Sequence, residues 1–246
     1  MKFIGIIPAR YASSRFPGKP LADLCGKPVI EHVYEKASAA LDEVVVATDD
    51  ERIFQAVKAF GGNAVMTSTS HRSGTDRCAE AYFEYAKEAD VVINIQGDEP
   101  FVKPEQIEAL KSCFPTDIAT LVHPFAAGTS FEQLSNPNIV KVVFSESTRN
   151  ALYFSRSVIP YLRDCMQSEW SKAHTFFRHI GMYAYRTDIL KQLSRLEQTP
   201  LEKGESLEQL RWLEKGYEIK VAVSDSISIG IDTPADLDNA RKILEE

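Results

Sequence analysis

The chain has 246 residues, with 28 Lys and Arg against 35 Asp and Glu, giving a net charge of −7 and a pI of about 5.4. That charge argues against a nucleic-acid partner, which needs a basic face across its whole footprint. The sequence holds neither the roughly 18 consecutive apolar residues of a membrane span nor a leader with a cleavage site, so it predicts a cytoplasmic protein without membrane insertion. The four cysteines, Cys25, Cys78, Cys113 and Cys165, lie far apart with no C-x-x-C pair and read as reduced, mostly packing residues.

An apolar strand over residues 4–8 runs into a loop that holds Arg10, Arg15, Lys19 and Lys27 against Asp23 alone, four cations to one acid between residues 9 and 27. Ligands of open α/β sheets lie beyond the carboxyl ends of strands, so the loop predicts an anion site, with guanidinium, ammonium and backbone N–H groups suited to a nucleoside triphosphate. It is not a Walker loop, because Ser13 stands where the first glycine is needed and Pro20 follows Lys19. No G-x-G-x-x-G is present either, which leaves a nicotinamide cofactor unsupported.

A helix over 29–41 follows, with Pro28 suited to its first turn, then a strand over 44–47 and a helix over 51–60 stopped by Gly61 and Gly62. The buried-type strand 91–95 ends in Gln96-Gly97-Asp98-Glu99-Pro100, and a helix over 105–114 follows Pro104. This alternation predicts βαβ units and a parallel sheet. Asp98, at a strand tip facing the basic loop, is placed either to stabilise a turn or to hold Mg²⁺, which takes one or two carboxylates and completes its octahedron with phosphate oxygens and water. From residue 117 the pattern changes to strands at 118–122, 140–144, 151–154 and 180–185, with a polar stretch at 164–173. A helix over 205–215, a strand over 219–223 and a helix after Pro234 close the chain. Asp232, just before that last helix, either caps it or shares the metal with Asp98. His32, His71, His123 and His174 read as surface or packing residues without metal-ligand spacing.

The blocks I-P-A-R-Y-A-S-S-R-F-P-G-K-P-L (7–21), S-G-T-D-R (73–77), N-I-Q-G-D-E-P (94–100), A-L-Y-F-S-R (151–156), H-I-G-M-Y-A-Y (179–185), P-L-E (200–202), L-E-Q-L-R (207–211) and G-I-D-T-P (230–234) closely resemble the 3-deoxy-manno-octulosonate (KDO) cytidylyltransferases, the CMP-KDO synthetases, in the family's order along nearly the whole chain. The resemblance implies a Rossmann-like, doubly wound mixed α/β sheet forming one nucleotidyltransferase domain over 1–246. Residues 145–185 would contribute a smaller β-rich lobe for sugar binding and dimerisation. The implied reaction is attack by the anomeric hydroxyl of an acidic eight-carbon sugar on the α-phosphate of CTP, in the service of lipopolysaccharide assembly. By similarity Asp98 and Asp232 hold Mg²⁺, while Arg10, Ser13, Arg15 and Lys19 contact the triphosphate. Asp98, Lys19 and Arg10 carry the catalysis, and Arg77 and Gln96 seat the nucleotide. Arg156 and Arg163 are the implied partners of the sugar carboxylate, and His179, Tyr183, Tyr185, Glu202 and Gln209 of its hydroxyls. A homodimer is implied as well. The rivals are the same chemistry on 8-amino-KDO or a sialic acid, a glycosyltransferase that consumes a preformed nucleotide sugar, and a silent nucleotide-binding regulator.

Overall fold

Short β-branched runs build the sheet, and helices cover both of its faces. The computed structural model describes residues 1–13, 15–71, 73–85 and 88–245. In chain order β1 (Phe3–Ala9) leads through a 3₁₀ turn at Lys19–Leu21 to a small hairpin, β2 (Asp23–Leu24) and β3 (Lys27–Pro28). Next come α1 (Val29–Ser38), β4 (Val44–Thr48), α2 (Glu51–Ala59), β5 (Ala64–Met66), α3 (Gly74–Tyr85), β6 (Val91–Asn94), α4 (Pro104–Lys111), β7 (Ile118–Pro124) and α5 (Phe131–Leu134). The chain continues through β8 (Lys141–Phe144), β9 (Ala151–Ser155), α6 (Trp170–Ala173), β10 (Phe177–Arg186), α7 (Thr187–Leu193), α8 (Pro200–Glu205), α9 (Gln209–Glu214), β11 (Ile219–Val223) and α10 (Pro234–Glu245).

The main sheet runs β11-β7-β10-β6-β1-β4-β5, with β8 and β9 extending from the start of β10. β1 is parallel to β4 and β6, whereas β10 lies antiparallel between β6 and β7, so the sheet is mixed. All residues of β4 and β6 are buried, as expected for strands covered on both sides. Alternate residues serve the two faces. Ile4, Ile6, Val45, Val92, Tyr183 and Tyr185 pack with Cys78 and Ala81 of α3, Leu190 of α7 and Leu210 of α9. Ile7, Val44, Val46, Ile93 and Met182 pack with Ile30 and Val33 of α1, Ile53 of α2 and Ile107 of α4. Ile6 stands in register with Val45 and Asn94, so the chain leaves β1, β4 and β6 at one edge of the sheet, and Arg10, Asp49 and Gln96 emerge together.

The structure differs from the sequence expectation at several elements; besides those that follow, the β2–β3 hairpin, β5, α5 and α7 lie where the sequence reading places no element. The sequence reading places no helix at α3, because its buried residues are Arg77 and the small Thr75, Cys78, Ala79 and Ala81, which give a weak periodic signal. The helix expected over 205–215 starts four residues later, as α9, and the separate α8 ahead of it ends at Ser206, whose φ of 52° lies in the left-handed region. The polar stretch 164–173 includes α6, where Trp170 is buried against Phe131 and Phe176. Among the described residues no helix is long and apolar enough to cross a membrane.

Candidate active site

The loop after β1 is held as a closed unit. Gly18 N–H donates to Tyr11 O at 2.8 Å, and Gly18 has φ 73°. A Cβ there would meet the Tyr11 ring at 2.9 Å, so glycine is needed on both counts. The Arg52 guanidinium sits 3.3 Å from the centroid of the Tyr11 ring and is itself tied to Asp50 by two hydrogen bonds, at 2.9 and 2.7 Å. These contacts set the backbone from which Arg10, Ser13, Arg15 and Lys19 project into a cavity of about 310 Å³.

On the other side of β1, Gly97 lets the turn after β6 pass over the end of β1. A Cβ at Gly97 would lie 2.8 Å from Pro8 O. The turn delivers Asp98 to the same cavity, and Ile231 N–H donates to Asp98 O at 2.8 Å, which brings in Asp232. Lys19 Nζ bonds Asp98 Oδ2 and lies 3.1 Å from Asp232 Oδ1, while Arg15 reaches Asp232 at 2.9 Å. The capping alternative for Asp232 fails on geometry. Thr233 and Asp236 cap α10 reciprocally, with Thr233 N–H donating to Asp236 at 2.8 Å and Asp236 N–H to Thr233 Oγ1 at 3.3 Å. The Asp232 carboxylate therefore faces the cations. Beside it, Glu99 accepts from Ser228 Oγ at 2.7 Å. Burial pushes the Glu99 carboxyl up to about 7; the Ser228 bond opposes this, and the charges of Asp98 and Asp232 add to it.

Arg77 and Gln96 complete the wall of this cavity. Arg77 is buried and donates to Thr67 Oγ1 at 2.6 Å and Asp49 Oδ2 at 2.7 Å, across the ends of β4 and β5. The Gln96 amide donates to Gly181 O at 3.0 Å, where the register of β10 against β7 shifts. All eight residues assigned to nucleotide or metal thus line one cavity. Two carboxylates sharing one ammonium suit Mg²⁺, which needs few protein ligands when phosphate oxygens supply others. Among the described residues no cluster of three or more metal-ligating side chains occurs.

The candidates for the sugar side are dispersed. Glu202 lines a second cavity, of about 770 Å³, together with Ser206, Glu208 and Arg211, and Ser73 borders both cavities. The Glu202 carboxylate is committed to Arg211, at 2.7 and 2.6 Å. Burial works against its charge, but Arg211 holds the carboxyl below the usual range. Tyr185 is buried with its hydroxyl 3.4 Å from Thr75 Oγ1, which donates to Glu208 Oε2 at 2.7 Å. The Tyr183 hydroxyl is buried without a hydrogen-bond partner among the described residues. Burial first, then the Glu208 charge, raises the pKa of both tyrosines well above the ordinary value. The Arg156 guanidinium donates to Glu205 O, Pro137 O and Ser206 O; of these residues only Ser206 lines the second cavity, and Arg156 itself does not. Of the seven sugar-side candidates only Glu202 lines either cavity; Arg156, His179, Tyr183 and Tyr185 stand behind the walls, and Gln209 and Arg163 are further cases. Gln209 is turned into the interior beyond the break at Ser206, and Arg163 is 90% exposed with only Asp164 near it, at 3.6 Å. Conversely Glu208, Ser73 and His71 line the cavities and were not singled out as site residues. Glu208 adjoins Gln209 inside the L-E-Q-L-R block, and only the break between α8 and α9 decides which of the two faces the cavity.

His179 is half-buried, with Nε2 2.9 Å from Thr120 Oγ1. The Thr120 proton is spent on Met182 O at 2.9 Å, so His179 donates through Nε2. Burial pushes its pKa down to about 3. An unfolded chain takes up this proton near pH 6.5 while the folded protein refuses it, so the stability present above pH 6.5 falls as pH drops towards 3. Between pH 7 and pH 5 the expected loss from this residue is about 2 kcal/mol. Urea titrations of a His179→Gln variant at the two pH values should show a difference smaller by about that amount.

A cytidylyltransferase profile matches residues 4–220. The chain belongs to the cytidylyltransferase family. It is 59% identical over 248 residues to the 3-deoxy-manno-octulosonate cytidylyltransferase of Parabacteroides distasonis, covering 99% of this chain and 98% of the relative. It is 49% identical over 255 residues to the protein of the same name from Thermodesulfovibrio yellowstonii, covering 99% and 98%. A solved CMP:2-keto-3-deoxy-manno-octonic acid synthetase complexed with CTP superposes with a TM-score of 0.90 at 44% identity, covering 100% of this cytidylyltransferase and 99% of that chain.

Proposed function

We propose that this chain transfers CMP from CTP to the anomeric hydroxyl of 3-deoxy-D-manno-octulosonate, releasing pyrophosphate and giving CMP-KDO for lipopolysaccharide biosynthesis. The observation that carries the reading is the convergence of Arg10, Arg15 and Lys19 with Asp98 and Asp232 on one cavity at the strand ends. In nucleotidyl transfer the protein mainly positions the reactants and stabilises charge, and this is what the cavity can do. The sugar oxygen bonds to the α-phosphorus as the bond to the pyrophosphate oxygen breaks, and the hydroxyl proton passes to water. Arg10, Ser13, Arg15 and Lys19 bind the triphosphate, with Arg10 and Lys19 offsetting charge on the departing pyrophosphate, and Arg77 and Gln96 seat the nucleoside. Asp98 and Asp232 are the residues that would hold Mg²⁺, which when bound supplies further neutralisation of phosphate charge. The acid sugar takes the adjoining cavity, where Glu208 can accept from its hydroxyls, held from behind by Thr75 and the buried Tyr185, and Arg156, which donates to Ser206 O of that wall, is the candidate for its carboxylate.

Dimerisation and a cytoplasmic location belong to the same proposal. The strongly exposed Leu152, in β9, and Tyr161 and Met166, in the connection from β9 to α6, support a subunit contact there. Pyrophosphate release from CTP and KDO tests the function, repeated with UTP, with 8-amino-KDO, with sialic acid and with EDTA. Release that needs metal and occurs with KDO and CTP is the expected result. Silence with every acid sugar would favour a glycosyltransferase or a regulator, whereas preference for sialic acid would change only the substrate.

A further inference from the structure

The connection from β5 to α3 forms part of the cleft wall through His71 and Ser73. The sequence places His71 among the packing or surface histidines, but its side chain lines the nucleotide cavity with 19% of its area exposed. Its Nε2 bonds Glu80 Oε2, on α3, and the same oxygen accepts the Ser68 N–H at 2.9 Å. Burial works against the Glu80 charge, but the Ser68 N–H and His71 hold its carboxyl below the usual range. An ionised carboxylate only accepts hydrogen bonds, so Nε2 carries the proton, and in the neutral ring Nδ1 is an acceptor. No hydrogen bond to Nδ1 is found among the described residues.

Charge decides which end of a nucleotide lies here. The loop cations gather with Asp98 and Asp232, whereas on the α3 side the described residues offer Arg77, already paired with Asp49, and the Glu80 carboxylate. A triphosphate is drawn to the first end, which leaves the uncharged base for the second. Cytosine presents its N4 amine, a donor, where uracil presents an acceptor oxygen. An imidazole fixed with Nδ1 as acceptor pairs with the first and repels the second.

We propose that His71, oriented by Glu80, accepts a hydrogen bond from the cytosine amine and sets the preference for CTP over UTP. Glu80 is the positioning residue, since it acts only through His71. The proposal rests on the cleft being a CTP site.

Its test is the ratio of kcat/KM for CTP to that for UTP, with KDO as acceptor, alongside calorimetric binding of the two nucleotides. The wild type should favour CTP. His71→Leu should raise the KM for CTP about tenfold to a hundredfold and leave UTP nearly unchanged, so that the ratio falls by the same factor. His71→Asn, whose amide oxygen can stand in for Nδ1, should retain most of the ratio. Glu80→Gln should fall between them, because an amide can also donate to Nε2 and release the other tautomer. An unchanged ratio in His71→Leu, or an equal loss with both nucleotides, overturns the proposal, as does a wild type indifferent to the base. Should the wild type transfer nothing, the functional reading fails, and the binding preference for CTP over UTP in wild type and Glu80→Gln still decides the role of His71.

Discussion

Replacing Asp98 with Asn is expected to lower kcat by about 10²- to 10³-fold while changing the affinity for CTP little. The amide keeps the size of the carboxylate and an oxygen that can accept from Lys19 Nζ, so the loop after β1 and the bond from Ile231 N–H to Asp98 O have no reason to move. What disappears is one negative charge at the point where Lys19, Arg15 and Asp232 meet. If Asp98 helps to hold Mg²⁺ against the triphosphate, the loss falls on charge stabilisation during transfer rather than on nucleotide binding. Pyrophosphate-release kinetics with calorimetric CTP binding separate the two, and turnover near the wild-type rate would remove Asp98 from the transfer machinery. Asp232→Asn should lose less, because Asp232 is about half exposed and further from Lys19.

Glu202→Leu is expected to destabilise the fold by about 3 kcal/mol, the low end of the cost of breaking a buried pair, because Arg211 keeps Glu208 at 3.8 Å. Arg211 and Glu202 are 8% and 5% exposed, and the guanidinium meets the carboxylate through two hydrogen bonds. Adding Arg211→Met should recover most of the loss, because the pair is then replaced by apolar groups rather than broken. Urea unfolding of the single and double variants measures both steps. A loss below about 1 kcal/mol would mean that Arg211 turns into the adjoining cavity and recovers water.

Among the sequence-level expectations, those that rest on local chemistry agree with the structure. β4 and β6 were legible as strands because a continuous Val and Ile run suits only an element covered on both sides. The basic loop was legible because cations concentrated in an acidic chain need an anionic partner, and Asp98 because an acid follows a buried strand directly. Local periodicity did not reveal α3, since Ala and Cys at its buried face carry little hydrophobic contrast, nor the break at Ser206, which directs Glu208 rather than Gln209 to the cavity.

The sequence by itself determined the helix and strand alternation, the cationic loop and the family blocks, because each is written in neighbouring residues. Only the tertiary structure decided that β10 inserts antiparallel between β6 and β7, that Lys19 is shared by Asp98 and Asp232, that Glu202 belongs to Arg211, and that His71 lines the cleft under the hold of Glu80. These pairings depend on strand order and on which carboxylate the folded backbone brings to each cation or imidazole, a matter of distance in space that residue spacing along the chain does not encode.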